Sequence, residues 1–175
     1  YTRSDTLSLH DALPIYTIVA GRTIIRNLRA SSRVKTEKQE RRARFQPTSD
    51  AVRKNNFRYA VRMLTAKLNH NFKPGDYHII LTYKDIVSPE ESRKMLKRFL
   101  SNVRNYCKRN DIEFKWVAVT EYEHTRIHHH LVMTGIDIRI IDKYWPQGYE
   151  YPVLLDETGN YHRLAEYLLD RKSVV

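Results

Sequence analysis

Residues 126–133 read Arg126-Ile127-His128-His129-His130-Leu131-Val132-Met133. Successive side chains of a β-strand point to opposite faces of its sheet, so every second residue shares a face. His128 and His130 therefore lie on one face, and the other face carries Ile127, His129, Leu131 and Met133. Because this second face is largely apolar, the alternation predicts a strand that packs one face on a core and presents two histidines together on an exposed face.

The residues just before this strand predict its partner. Residues 114–123 are rich in β-branched and aromatic side chains, and a short polar turn separates them from 127–133, which indicates an antiparallel hairpin. One face of this partner strand carries Val117, Val119, Glu121 and Glu123. Two imidazoles and a carboxylate can bind a divalent cation such as Mn²⁺ or Mg²⁺. The spacing leaves open whether Glu121 or Glu123 is the third ligand.

The remaining elements predict an α+β fold. Further strands are expected at 16–20, 23–28, 77–83 and 149–155, and helices over about twenty residues from 48, then at 88–107, 137–144 and 160–169. Since the hairpin is antiparallel, we expect a central antiparallel sheet with helices packed on one face. An α/β fold with a parallel sheet is the weaker alternative.

Composition limits the class of protein. The chain has 175 residues, which suits one domain, and its 31 Lys and Arg against 20 Asp and Glu give a formal charge of +11. No apolar run is long enough for a membrane span and no signal peptide is visible, so we expect a cytoplasmic protein without membrane contact. The single cysteine, Cys107, excludes an internal disulfide framework. A bound metal must therefore use histidine and carboxylate ligands.

A basic segment follows the first two strands. Residues 29–44 lack an apolar period and include Arg41, Arg42 and Arg44. Clustered cations of this kind bind nucleic-acid phosphates, so these three arginines are candidate DNA contacts. A solvated linker is the alternative, and the sequence favours neither interpretation.

The two ends of the chain are related at the level of DNA. A coding string for residues 9–15 has a reverse complement that translates as Asp-Arg-Lys-Ser-Val-Val-stop, and the chain ends with those residues at 170–175. The shared string resembles a sequencing adapter. We therefore expect 1–15 and 170–175 to be artefacts and the natural chain to continue beyond Leu169. The organisation is then an N-terminal region of strands and basic arm at 16–47, followed by a domain at 48–169.

Three motifs in order resemble those of the HUH endonucleases, and specifically the small rolling-circle replication initiators of bacterial plasmids, phages and integrative elements. Residues 78–83 resemble the first motif strand, 119–122 with 126–130 the metal motif, and 164–169 the tyrosine motif. The resemblance implies a ferredoxin-like or RRM-like core that holds Mg²⁺ or Mn²⁺ on His128, His130 and Glu121, the last in preference to Glu123. His129 departs from the family, in which a bulky apolar residue usually fills this position.

The last predicted helix supplies a candidate nucleophile. Its apolar stripe consists of Tyr161, Leu164, Ala165 and Leu168. Tyr167 lies about 120° from the centre of that stripe, so its hydroxyl can face a neighbouring site. By resemblance, Tyr167 attacks a scissile phosphate and forms a 5′-phosphotyrosyl intermediate, which supports later rejoining and leaves a 3′-hydroxyl that primes replication. The family's lysine three residues further on falls at Asp170, inside the suspected adapter.

The resemblance and the charge together suggest partners. The expected substrate is single-stranded DNA of a replication origin, with host helicase and polymerase as further partners. Tyr83 and Arg126 are candidate DNA contacts, and Tyr83, Trp116 and Tyr122 are candidates for base stacking. One alternative is an HUH transposase or relaxase, although relaxases carry the nucleophile near the N-terminus. The other is a basic nucleic-acid-binding module without catalysis.

Overall fold

The computed structural model describes residues 14–28, 49–122 and 126–170, with side chains at 17–26 in the first of these ranges. Its strands are β1 (Pro14–Ala20), β2 (Thr23–Leu28), β3 (Tyr77–Leu81), β4 (Trp116–Glu121), β5 (His128–Met133) and β6 (Glu150–Leu154). Its helices are α1 (Asp50–Asn71), α2 (Pro89–Arg109), α3 (Ile138–Tyr144) and α4 (His162–Asp170). Each element predicted from the sequence is present, and its ends lie within two residues of the expected ones.

Local signals in the sequence determine where the helices begin. At the start of α2, Ser88 Oγ accepts a hydrogen bond from the Glu91 N–H at 3.2 Å, and Glu91 Oε2 accepts one from the Ser88 N–H at 3.0 Å, which is a reciprocal capping box. Asp137 caps α3 by accepting from the Arg139 N–H at 3.0 Å. None of the helices in the described part of the chain has a stretch long and apolar enough to span a membrane.

Two antiparallel sheets contain all six strands. β1 and β2 form a hairpin, and the other four strands form a sheet in the order β4-β5-β3-β6. The predicted hairpin of β4 and β5 is confirmed, with Glu121 directly opposite His128. On the other side of β5, His130 pairs with Ile80 of β3. The histidine strand is therefore central in its sheet, and the α+β class with an antiparallel sheet is confirmed.

One face of the four-stranded sheet packs against α2 and α3. Phe99 of α2 and Ile141 of α3 are fully buried against Leu81 of β3 and Leu131 of β5. His129 is also fully buried on this face, as the alternation along β5 predicts. This layer is the core that the sequence anticipated.

The opposite face packs against α1 and α4. Leu68 of α1 and Leu168 of α4 are buried with Val119 of β4 and Val132 of β5. The sequence predicted helices on one face, and the structure adds this second layer. Val119 and Val132 lie on the histidine face, and their apolar surface is the physical reason why helices cover it there.

Polar contacts fasten the start of α4 to α1. The Asn69 side chain, which is buried, accepts from the Tyr161 N–H at 2.9 Å and donates to Thr23 Oγ1 at 2.7 Å. Thr65 Oγ1 lies 3.2 Å from Nδ1 of His162. These contacts place α4 over the sheet at a fixed height, with β2 held beside it.

Candidate metal centre and tyrosine

Three side chains converge where β4 ends and β5 begins. Nε2 of His128 lies 3.2 Å from Oε2 of Glu121, and Nε2 of His130 lies 3.7 Å from the same oxygen. The three candidate ligand atoms all lie within 4.8 Å of one another. The structure thus brings together Glu121, His128 and His130, while Glu123 lies outside the described residues.

The hydrogen bonding of His128 fits a metal ligand. Its Nδ1 lies 2.9 Å from the backbone carbonyl oxygen of Arg126, a group that can only accept, so the ring proton is at Nδ1. In the neutral ring, the lone pair of Nε2 then faces the carboxylate oxygen of Glu121. Two electron-rich atoms this close favour a cation between them, and a carbonyl-bonded Nδ1–H is the usual way in which a metal-binding histidine is oriented.

The predicted exposure of the histidine face is wrong for His130. Its residue surface is 1% exposed, whereas His128 at the edge of the cluster is half-buried. The reason is the layer of α1 and α4, which covers the sheet around Val119 and Val132 and reaches His130 as well. A ligand therefore approaches the cluster from the side of His128.

Tyr167 lies against this cluster. Its ring meets the ring of His130 edge to face, with centroids 5.2 Å apart and planes at 87°. Tyr161, Ala165 and Leu168 are buried, whereas Tyr167 is 38% exposed, as its position off the apolar stripe predicts. The packing of α4 therefore brings Tyr167 to the cluster although it is distant from His130 in sequence.

His78 is a further member of the site that sequence reasoning did not assign. Its ring stacks on that of His130, with centroids 5.5 Å apart and planes at 20°, and its centroid lies 6.2 Å from that of Tyr167. Burial lowers the pKa of His78, and its Nε2 makes no hydrogen bond within the described residues. The available signal was its place in the first motif strand, two residues before Ile80, but only the pairing of β3 with β5 brings it here.

A buried polar network supports the same strand from its other face. The Tyr83 hydroxyl donates to the Ser92 carbonyl at 3.2 Å and lies 2.6 Å from Nε2 of His129, while Thr120 Oγ1 lies 2.8 Å from Nδ1. Because the Tyr83 proton is used on Ser92, Nε2–H of His129 donates to Tyr83 and Nδ1 accepts from Thr120. His129 is thus neutral. Burial first, and then the neighbouring His128 and His130, lower the pKa of His129 to about 4.

We expect this network to make the fold sensitive to acid. In the unfolded chain His129 titrates near 6.5, and in the folded chain near 4, so below pH 6.5 the unfolded chain binds more protons. The free energy of unfolding should fall by roughly 3 kcal/mol as the pH drops to about 4. Urea unfolding at several pH values in the presence of EDTA measures this loss. His129→Gln, which does not titrate, should lose less stability over the same range, and His70→Gln, at an exposed position, should behave as the wild type. Equal pH dependence in all three proteins would contradict the assignment.

The candidate DNA contacts have different environments. Tyr83 is 7% exposed and belongs to the core, so it is not available to stack on a base; this expectation is corrected, because its hydroxyl is needed by His129. Trp116 is half-buried, and Tyr122 is 44% exposed. Arg126 is exposed at the mouth of the cluster. Three further candidates lie outside the described residues, namely Arg41, Arg42 and Arg44.

Comparison with known proteins identifies the family. No curated protein and no solved structure gives a significant match to the chain. The family model of the replication-associated protein ORF2 matches residues 76–172, which is more than half of the chain and includes β3, the candidate metal cluster and Tyr167. The resemblance to rolling-circle replication initiators is thereby confirmed. The chain belongs to the family of the replication-associated protein ORF2.

Proposed function

We propose that this protein is a rolling-circle replication initiator that nicks and rejoins single-stranded origin DNA through a covalent tyrosine intermediate. The observation that carries the proposal is the contact between the Tyr167 ring and His130, one of three side chains whose donor atoms converge. A nucleophilic hydroxyl beside a divalent-cation site is the arrangement that phosphoryl transfer needs.

In this proposal His128, His130 and Glu121 hold one divalent cation. Two imidazoles and one carboxylate suit Mn²⁺ and, with water completing the shell, Mg²⁺. A cation at this position polarises a phosphate oxygen and offsets the charge that develops in the transition state. The Arg126 carbonyl keeps the Nε2 of His128 directed at the cluster, and the buried network of His129 holds the strand that carries both ligands.

The phenol oxygen of Tyr167 performs the proposed displacement. It loses its proton and forms a bond to phosphorus, while the bond from phosphorus to the 3′-oxygen of the preceding nucleotide breaks and that oxygen takes up a proton. The products are a 5′-phosphotyrosyl link and a free 3′-hydroxyl. Attack of a 3′-hydroxyl on the link reverses the step and rejoins the strand. Because one phosphodiester replaces another, no external energy source is needed.

The proposal extends to organisation and partners. We assign the endonuclease domain to residues 48–169 and the hairpin with its basic arm to 16–47. Helicase and polymerase of the host are the partners that replication from a nicked origin requires, and the cytoplasm is the expected location. An HUH transposase shares the chemistry, and a non-catalytic binding module shares only the charge.

Covalent capture of DNA tests the function. The chain is incubated with Mn²⁺ and single-stranded oligonucleotides of random sequence that carry a fluorophore at either the 3′ or the 5′ end. With the 3′ label we expect fluorescent protein on a denaturing gel, and sequencing of the attached strands gives the recognised site. With the 5′ label we expect only a shortened free strand. Binding without any adduct would support the non-catalytic module, and an adduct with the 5′ label alone would contradict the polarity.

A further inference from the structure

An exposed aromatic and apolar strip lies on the same sheet face as the metal cluster. Ile80 of β3 pairs with His130 on one side and with Tyr151 of β6 on the other, so the three form one row across the sheet. Neighbouring strands lie about 4.8 Å apart, which puts Tyr151 roughly 10 Å from His130 along this row. Val153 follows Tyr151 on the same face.

The helices leave this part of the face open. The layer of α1 and α4 packs over β4 and β5, through Val119 and Val132. On β6, by contrast, Tyr151 is 56% and Val153 is 58% exposed, and β6 is the edge strand of the sheet. The row from His130 to Tyr151 therefore leads from the covered cluster to an accessible edge.

Positive charge lies at the end of the strip nearest the cluster. Nζ of Lys84 lies 5.8 Å from the ring centroid of Tyr149, the residue just before β6, and Tyr149 is itself 57% exposed. The guanidinium of Arg126 donates to the Lys84 carbonyl at 3.3 Å, so both cations sit at the mouth of the site. With Thr82 they line a cleft of about 360 Å³.

We propose that Tyr151 and Tyr149 form a base-stacking platform for single-stranded DNA, with Lys84 and Arg126 holding phosphates of the same segment. This inference rests on the proposed function, because the scissile phosphate at the cluster fixes where the strand must pass. Exposed tyrosine rings next to cations match the alternation of bases and phosphates, and stacking tolerates any base. A second copy of this chain on the β6 edge is the competing occupant, but the +11 charge and the two clustered cations favour a polyanion.

Binding without cleavage tests the platform separately from the chemistry. Fluorescence anisotropy in EDTA measures the affinity of the full chain for a fluorescein-labelled oligothymidylate. We expect Tyr151→Ala and Tyr149→Ala each to weaken binding by about fivefold or more. Tyr151→Phe, which keeps the ring, should bind as the wild type. The matched control is Tyr59→Ala on α1, since Tyr59 is 54% exposed and lies outside the strip.

A second ligand shows whether the rings contact bases. An abasic strand of equal length presents the same phosphates, so the wild type should bind it more weakly than oligothymidylate, and Tyr151→Ala should lower that weaker affinity no further. Lys84→Ala should reduce the slope of log affinity against log salt by roughly 0.7. Alanine variants that bind like Tyr59→Ala would overturn the platform. So would a wild-type dimer in sedimentation that Tyr151→Ala dissociates without loss of DNA binding. Loss of adduct with normal stacking would overturn only the proposed function.

Discussion

Tyr167→Phe should abolish the covalent adduct, with yield reduced at least about 10³-fold. The substitution removes one oxygen and leaves the ring, so the edge-to-face contact with His130 and the exposure of the side chain should be kept. Since nothing else in α4 changes, the loss would report the missing nucleophile rather than a displaced helix. The measurement is the 3′-labelled adduct on a denaturing gel, as a function of time with saturating Mn²⁺.

Two comparisons make this result specific. Tyr59→Phe changes an exposed tyrosine of α1 and should give the wild-type yield. Anisotropy in EDTA should show that Tyr167→Phe still binds oligothymidylate, because the proposed platform lies on β6. An adduct that persists in Tyr167→Phe would assign the nucleophile to another residue, and the labelled peptide from a digest of that adduct would identify it.

Removal of the metal ligands should have the second large effect. His128→Ala and Glu121→Gln each take away one of three converging donors, and we expect Mn²⁺ affinity to fall at least about 100-fold, more than loss of an outer hydrogen-bond partner usually costs. Electron paramagnetic resonance of free Mn²⁺ measures this without any DNA. His128 is preferred over His130 for the test because His130 is buried and its loss disturbs packing with Tyr167.

Matched variants separate metal binding from charge. His70→Ala at the end of α1 and Glu113→Gln before β4 remove similar groups from exposed positions, and both should leave Mn²⁺ affinity unchanged. EDTA should stop adduct formation by the wild type, and added Mn²⁺ should restore it. Full Mn²⁺ affinity in His128→Ala or in Glu121→Gln would remove that residue from the site, and adduct formation in EDTA would remove the metal from the reaction.

Much of the site could be predicted because its signals are local. The period of two along β5 separates His128 and His130 from the core-facing His129, and the hairpin places Glu121 opposite His128. The period of an α-helix sets Tyr167 apart from the buried Ala165 and Leu168. Each inference needs only the geometry of one element or of two strands joined by a short turn.

The burial of His130 and the fate of Tyr83 could not be predicted in this way. The sequence presents the histidine face as open, and only the packing of α1 and α4 shows that it is covered. Tyr83 has the composition of a base-stacking residue, yet its hydroxyl completes the network around His129 in the core. Both outcomes depend on partners that are far away along the chain.

The sequence by itself determined the α+β class, the antiparallel hairpin, the convergence of two histidines with a carboxylate and the side of α4 on which Tyr167 lies. Only the tertiary structure decided that β3 joins β5, which brings His78 against His130, and that β6 joins β3, which puts Tyr151 in the same row. It also decided that α4 lies across this face, so that Tyr167 reaches the cluster. The physical reason is that strand order and helix placement follow from burying apolar surface between distant segments, and the periodicity of a single segment carries no information about which distant segment covers it.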